Sequence, residues 1–406
     1  MNKDFRIILI ILILVSSYTS VFGATKYSTN PDECIDGVCY VPQQDDDGNQ
    51  VYPVVSPVGY HDVEMIKQAP RLDSLNDKTF ALIGGSFMAV TTHNELKKCI
   101  EKEFPDSKIY MFDEIGAAGP FNIFGITDKT KAFQEKLKEL HVDAVITGNC
   151  GCGLCTTKET GNSIAAEYIG IPTVTVAGKT FVSQVHSTGV NRGVPVLRTV
   201  EYPGAFASDS REVLQKNARD ILWPQIKKTL TEKITKKEIA EYAPQGKRPA
   251  DEIIYYGSYE DIQEYFKINN WTDGLPIVPP TDEKIQEYLK FTPYKAEETI
   301  GTIAVAYREC TVYTVAANAV MSGVSAEYMP ICLAFAQLMN NGKWRRPLSS
   351  THGWTPFAWL NGPLARQLGI DNQQGMISEA NNKALGRFID LCMLNLVLGK
   401  YWKPAI

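Results

Sequence analysis

Three of the nine cysteines, Cys150, Cys152 and Cys155, fall within six positions. Cys152 and Cys155 are separated by two residues, which is the spacing of dithiol redox pairs. They follow an apolar run that predicts a strand, and they precede a helical pattern that opens with Thr156 and Glu159 at a capping-box spacing. The amides and dipole of a helix start stabilise a thiolate, so we expect a pKa for Cys152 below the free value of about 8.5. The pattern predicts Cys152 as nucleophile and Cys155 as resolving thiol.

Two other interpretations of the cysteine segment stay open. Cys150, Cys152 and Cys155 could bind a soft metal ion, although no fourth cysteine or nearby histidine completes a tetrahedral ligand set in the sequence. Cys152 and Cys155 could instead form a structural disulfide in a non-catalytic exported protein.

The N-terminus predicts export. Lys3 and Arg6 precede a nine-residue apolar run, so residues 1–23 have the pattern of a signal peptide. A membrane span needs about 20 apolar residues, and we therefore expect no membrane attachment after signal removal. The expected location is secreted or the lumen of the secretory pathway, where Cys34 and Cys39 would form a local disulfide.

Composition limits the class of partner and the number of domains. The 406 residues carry 41 Lys and Arg against 46 Asp and Glu, a formal net charge of −5, and no nucleic-acid partner is expected. A hydrophobic content of 44% is enough for two globular domains. We predict an extended leader at 24–70, a first domain at 71–240 and a second domain at 241–406.

Short apolar runs alternate with helical patterns in the predicted first domain. Strands are predicted at Thr79–Ile83, Lys108–Phe112, Ala144–Thr147 and Thr173–Ala177, and helices at Thr92–Phe104, Lys129–Leu140 and Lys158–Tyr168. This alternation indicates an α/β domain with a parallel sheet, which we predict to be flavodoxin-like, with a Rossmann-like strand order as the alternative. The second domain is predicted to be α+β.

Ligands of such sheets bind beyond the carboxyl ends of the strands. Three loops, 84–87, 113–116 and 149–155, should meet there. The candidate substrate-binding residues in them are Gly85, Ser86, Glu114 and Asn149. The first loop lacks the spaced glycines of a dinucleotide fingerprint and the lysine of a phosphate loop, and no cofactor is predicted.

The second domain contributes two further candidates. His352 could donate a proton to a leaving group, and Arg346 could bind a substrate carboxylate. The alternative for both is a capped turn with solvated arginines. His93 and His141 fall in helix contexts typical of a surface, and no role is predicted for them.

The cysteine segment also resembles a known family. Cys152-Gly153-Leu154-Cys155-Thr156, followed by the segment 167–174, is similar to the UGSC-motif family of selenoproteins and their cysteine homologues. In that family selenocysteine stands in the place of Cys152, and Cys155 matches the family's cysteine. The resemblance extends over most of the chain, because the part from Trp271 onward is similar to sequence found with this motif.

The loop is also similar to the selenocysteine segment in component B of the glycine, sarcosine and betaine reductases. There a selenol attacks carbon and expels an amine, and a thiol regenerates the centre. The chain departs from these patterns in two ways: Leu154 replaces the motif's serine, and the further cysteine of the reductase segment is missing, while Cys150 lies upstream.

Together these features predict a thiol-dependent oxidoreductase or reductive-cleavage enzyme. Its substrate would be a small electrophilic molecule bound at the cleft between the domains. An external thiol reductant would be needed to reopen the Cys152–Cys155 disulfide that the reaction leaves.

Overall fold

The structure is a computed structural model. It describes residues 34–35, 38–39, 44, 48, 50–60, 63–119, 126–242, 248–303, 308–340, 356, 358–370, 373, 374, 376 and 378–398. The predicted signal peptide lies outside the described residues, and export stays a prediction. Within the described ranges, no helix combines the length and the apolar character that crossing a membrane requires.

The elements are numbered here in chain order. The strands are β1 (Cys34–Ile35), β2 (Val38–Cys39), β3 (Tyr52–Val55), β4 (Thr79–Ile83), β5 (Lys108–Met111), β6 (Ala144–Cys150), β7 (Thr173–Gly178), β8 (Thr199–Tyr202), β9 (Ile253–Gly257), β10 (Thr299–Ile303) and β11 (Arg308–Thr311). The helices are α1 (Ala89–Glu103), α2 (Phe112–Ile115), α3 (Asp128–Glu139), α4 (Gly153–Glu167), α5 (Val182–Val190), α6 (Arg211–Asn217), α7 (Trp223–Thr231), α8 (Lys236–Tyr242), α9 (Tyr259–Ile268), α10 (Asp282–Leu289), α11 (Val312–Ser322), α12 (Met329–Met339), α13 (Pro363–Gln367) and α14 (Ala380–Cys392).

A parallel sheet of five strands organises the first half of the chain. Its strand order is β5-β4-β6-β7-β8, with every neighbouring pair parallel. Counted within the sheet this is 2-1-3-4-5, the order of flavodoxin-like sheets. The predicted α/β fold is confirmed, and β8 is a strand that the sequence analysis did not predict. The order reverses between β4 and β6, so the loops after these two strands meet at the switch point.

Helices cover both faces of this sheet. Phe80 and Leu82 of β4 point into one core, with residues of α1, α6 and α7, while Ala81 and Ile83 point into the other, with residues of α3, α4 and α5. This alternation is the period-two pattern of a strand. A strand that is buried on both sides is apolar throughout, which explains why β4 was evident from sequence.

The segment 24–70, predicted as an extended leader, contains the strand β3, and its bounds stay a prediction. The chain divides into the units Met1–Gln50 and Val51–Ile406, and β3 of the second unit pairs antiparallel with β9. Val54 and Val55 of β3 are fully buried. Prolines lie in and around this strand, so the sequence pattern did not predict it. Its two valines, Val54 and Val55, are apolar and pack in the core. The predicted boundary between two domains at residue 240 also stays a prediction.

The smaller unit contains one described hairpin. β1 and β2 pair antiparallel, with Cys34 opposite Cys39. The side chains of these two cysteines lie outside the description, and their disulfide stays a prediction.

The second half of the chain packs around α11. This helix is buried along its whole length and contacts α10, α12 and α14. Cys310, Cys332 and Cys392 are buried in this core, as expected from their apolar surroundings. The strands β9, β10 and β11 form two-stranded antiparallel pairs beside the helices, as in the α+β arrangement that the sequence predicts.

A buried ion pair fastens the segment before β4 to the sheet. The Arg71 guanidinium donates from Nη2 to both carboxylate oxygens of Glu167, at 2.8 Å each. Gln68 and the backbone amide of Thr173 also donate to this carboxylate, at 3.0 and 2.9 Å. Both charged side chains are almost completely inaccessible to solvent. Each charge therefore depends on the other for compensation.

Replacing Glu167 with glutamine should leave the Arg71 charge buried without a counter-ion. We expect the free energy of unfolding, measured by urea titration, to fall by about 3–5 kcal/mol. The matched control is Glu232→Gln, because Glu232 pairs with Lys228 on an exposed surface. That change should cost about 0.5 kcal/mol or less, and equal losses in the two variants would contradict the prediction.

Candidate active site

Cys152 caps the start of helix α4. β6 ends at Cys150, the backbone of Cys152 is extended, and α4 begins at Gly153. The Sγ atom of Cys152 accepts a hydrogen bond from the backbone N–H of Cys155 at 3.2 Å. The sulfur thus occupies the position of an N-cap oxygen, where helix amides and the helix dipole favour negative charge. This is the strand-then-helix placement that the sequence predicts for the cysteine segment.

The predicted capping box at Thr156 and Glu159 is wrong. The helix starts at Gly153, five residues before the predicted Lys158, because the Cys152 sulfur provides the cap. The Thr156 hydroxyl donates back to the Cys152 carbonyl at 2.6 Å and so lies inside the first turn. The carboxyl group of Glu159 forms tertiary hydrogen bonds instead of a helix cap.

Glu159 is a buried carboxyl group that holds the loop after β4. Its Oε1 atom accepts from the amide of Gly85 at 3.3 Å and from the hydroxyl of Ser86 at 3.0 Å. Its Oε2 atom accepts from Asn162 at 3.1 Å. Burial raises the pKa of Glu159, and the ammonium of Lys158, 3.7 Å away, opposes this shift. This role of Glu159 was not predicted from the sequence, although its position one helical turn beyond Cys155 indicates that the two side chains share a helix face.

Ser86 connects Glu159 to the thiol pair, since its hydroxyl also interacts with Cys155. Burial, together with a hydrogen bond to Cys152, raises the pKa of Cys155 to about 12. Cys155 is therefore protonated at neutral pH. The structure brings together the predicted residues Ser86, Cys152 and Cys155, and adds Glu159 to them.

The loops after β4 and β6 touch through their backbones. A Cβ atom on Gly84 would overlap the carbonyl oxygen of Gly148, and only glycine allows this approach. The Gly148–Asn149 peptide bond is cis. The buried Asn149 side chain donates to the Phe87 carbonyl at 2.9 Å and accepts from the Thr92 hydroxyl at 3.1 Å. Asn149 thus fixes the position of the first loop, and its contact with substrate stays a prediction.

Cys150 is completely buried. Its side chain packs in the apolar core on one face of the sheet, and burial raises its pKa well above the ordinary value. Cys150, Cys152 and Cys155 are all free thiols. Across the described ranges, no three His, Cys, Asp or Glu side chains are grouped in a way that could hold a metal ion.

The remaining predicted residues are placed as follows. Glu114 is exposed. Its carboxylate accepts a hydrogen bond from the Met111 amide at 2.8 Å, and this bond caps the short helix α2 that contains Glu114. It does not contact the cysteines. Its loop reaches the site instead through Ala118, whose amide donates to Asn162 at 2.9 Å. His352 and Arg346 lie outside the described residues, and their roles stay predictions.

His93 is buried, contrary to the expected surface position. Its Cε1 atom lies 2.8 Å from where a Cβ atom on Gly84 would be, beneath the loop after β4. Burial lowers the pKa of His93 to about 4, so the ring is neutral. Its Nε2 atom has no hydrogen-bond partner among the described residues. The polar neighbours of His93 in α1 suggested a surface, but Thr91 and Thr92 are buried as well.

A cleft of about 400 Å³ opens beside Ser86. The loop 85–88 forms one wall, and the others come from α1 and α6. Because Ser86 interacts with Cys155 and Glu159, this cleft adjoins the thiol pair. Phe87 separates part of it from the cysteine segment, since its ring would lie 2.9 Å from a Cβ atom on Gly151.

One comparison with known proteins gives a match. Residues 53–232 match the model of the UGSC family. The matched range contains the whole parallel sheet and the cysteine segment, and it does not include the part from Trp271 onward. The similarity to reductase component B stays a prediction. No curated protein and no solved structure matches the chain.

Alkylation should distinguish the two cysteines of the pair. With iodoacetamide at mildly alkaline pH, we expect Cys152 to be labelled first, because helix amides stabilise its thiolate. In Cys152→Ser, labelling of Cys155 should stay slow, since burial keeps its thiol protonated. Peptide mass mapping over time measures both rates, with the partly exposed Cys99 as internal reference. Uniform slow labelling of all thiols would count against a reactive Cys152.

The buried Glu159 should make stability depend on pH. Its folded-state pKa is raised above the ordinary value of 4.5, so its contribution is fully present below that value and is lost as pH rises through the folded pKa. The difference in unfolding free energy between wild type and Glu159→Gln isolates this contribution from that of Glu167, whose pKa is also raised. Wild type should lose stability relative to the variant as pH rises, and a constant difference between them would refute the prediction.

Proposed function

We propose that this chain, which over residues 53–232 is a UGSC-family protein, is a thiol-dependent oxidoreductase or reductive-cleavage enzyme. Cys152 is the nucleophile, Cys155 resolves the covalent adduct, and the substrate is a small electrophilic molecule in the cleft beside Ser86. The observation that carries the proposal is the hydrogen bond from the Cys155 amide to the Cys152 sulfur at a helix start.

The two cysteines differ in the way that such a reaction needs. Cys152 is partly exposed and receives an N–H donor, which stabilises a thiolate. Cys155 keeps its proton, because burial and its contact with Cys152 raise its pKa to about 12. The Cys152 sulfur is thus the attacking group, and the Cys155 thiol, one turn further along the helix, reacts only in the second step.

The first step forms a bond between the Cys152 sulfur and the substrate R–X. The thiolate attacks R, and X departs with the bonding electron pair. In the second step the Cys155 sulfur attacks the Cys152 sulfur, and R leaves with the electrons of the broken S–R bond and takes up a proton to give R–H. The substrate gains two electrons, and the cysteine pair loses them as it becomes a disulfide. An external dithiol then reduces this disulfide by exchange and is itself oxidised.

The second step requires the proton of Cys155 to leave. Ser86 interacts with Cys155 and donates to Glu159, so its hydroxyl offers a path between the two. The raised pKa of Glu159 suits a group that accepts and later returns a proton. His352 and Arg346 remain candidates for protonating the leaving group and binding a carboxylate.

Release of the adduct should depend on Cys155. The probe is methyl methanethiosulfonate, which transfers a methylthio group to a thiolate. In wild type, attack by Cys155 should expel methanethiol and leave a protein lighter by two hydrogen atoms, because a disulfide has formed. In Cys155→Ser, the Cys152 adduct should persist and be seen as a methylthio group added to the intact mass.

Two further variants define the outcome. Cys99→Ser, on helix α1, should behave like wild type. Glu159→Gln should form the adduct at the wild-type rate and release methanethiol more slowly, if Glu159 takes up the proton of Cys155. Release that is equally fast in wild type and Cys155→Ser, or an adduct that never forms on Cys152, would overturn the proposed function.

A further inference from the structure

Among the described residues that line the cleft beside the thiol pair, one is cationic. Arg211 is the first residue of α6, and Gln215 follows one helical turn later, so both lie on the same face of this helix. Asn94 lines the cleft from α1, and the two helices pack together through the apolar core that contains Leu96 and Leu214. A guanidinium and two amide side chains therefore border the same space.

Nothing in the described part of the chain neutralises Arg211. No hydrogen bond or ion pair joins its guanidinium to another described side chain, and no acidic residue is found among the described residues that line the cleft. The neighbouring Glu212 has a lowered pKa, first because of its own backbone amide, then because of the Ser210 hydroxyl, and last because of the charge on Arg211, with which it forms no ion pair. The cleft wall thus presents a net positive charge.

Three large apolar side chains also line the cleft. They are Phe87, Met88 and Val90, and 44% of Met88 and 66% of Val90 are exposed to solvent, which is unusual for large hydrophobic side chains. Ser86 also lines the cleft, and its hydroxyl interacts with Cys155 and Glu159. A molecule that fills the cleft would meet a cation, an apolar surface and the edge of the thiol site.

We propose that the cleft binds a small organic carboxylate, whose carboxylate group pairs with Arg211 between the amides of Asn94 and Gln215. Its apolar body lies against Phe87 and Met88, and its electrophilic end points toward Ser86 and Cys152. This assignment names the substrate class of the proposed function and rests on it. A guanidinium suits a carboxylate because its planar N–H groups can donate in pairs to the two oxygens.

Two aromatic disulfide reagents, one with carboxylates and one without charge, test the assignment. Dithiobis(nitrobenzoate) carries a carboxylate on each ring, while dithiodipyridine is neutral, and both release a coloured thiol on attack by a thiolate. The rate at which each reagent modifies Cys152 is followed by stopped-flow absorbance, and mass mapping identifies the labelled residue. Arg211→Gln should slow the reaction with dithiobis(nitrobenzoate) by about three- to fivefold and leave the dithiodipyridine rate unchanged.

Lys216→Gln is the matched control, since it removes the same charge from an exposed position of the same helix outside the cleft. It should leave both rates unchanged. An equal effect of Arg211→Gln on both reagents, or no effect on either, would overturn the carboxylate assignment while Cys152 is still labelled first. If Cys152 is not the first thiol that either reagent modifies, the proposed function itself fails, whatever Arg211 does.

Discussion

The hydrogen bond from the Cys155 amide to the Cys152 sulfur is the interaction on which the site depends. A helix start needs an acceptor for its unpaired amides, and an oxygen of serine, threonine or aspartate usually supplies it. Here a sulfur supplies it, at 3.2 Å. The cap therefore fixes the direction of the Cys152 side chain and gives its charged form a donor. It also places Cys155 within one turn of Cys152.

Helix α4 can present this cap because it carries polar side chains into the core. Buried polar groups are stable when they find partners, and three of these side chains find them on other elements. Glu159 holds the loop after β4, Asn162 holds the amide of Ala118, and Ser163 hydrogen-bonds with Thr147 and Thr175 of the sheet. The same contacts that stabilise the helix thus align the loops around the thiol pair.

Two buried glutamates on this helix show different electrostatics. Glu167 is paired with the buried Arg71 and receives further donors, an arrangement that fits a structural ion pair. Glu159 receives neutral donors, and its nearest cation, Lys158, is about half exposed. A carboxyl group that is buried without a full counter-charge holds its proton more readily. Such groups are common at functional sites, and Glu159 lies beside a cleft and two cysteines.

The sequence by itself determined the parallel sheet and the position of the cysteine segment. Strands buried on both faces are rich in apolar and β-branched residues, and β4, β6 and β7 were evident for that reason, as was the Cys-x-x-Cys before a helix. The exposed-looking residues of β8 and the proline-flanked β3 gave no such signal. Which polar residues face inward was decided only by tertiary structure: Glu159, Asn149 and His93 have partners or neighbours far away in sequence. A spacing rule describes contacts within one helix or strand. The burial of a carboxyl group, the attachment of a loop by an asparagine and the cleft between two helices all depend on contacts between elements. These contacts form only when the helices and loops pack on the sheet.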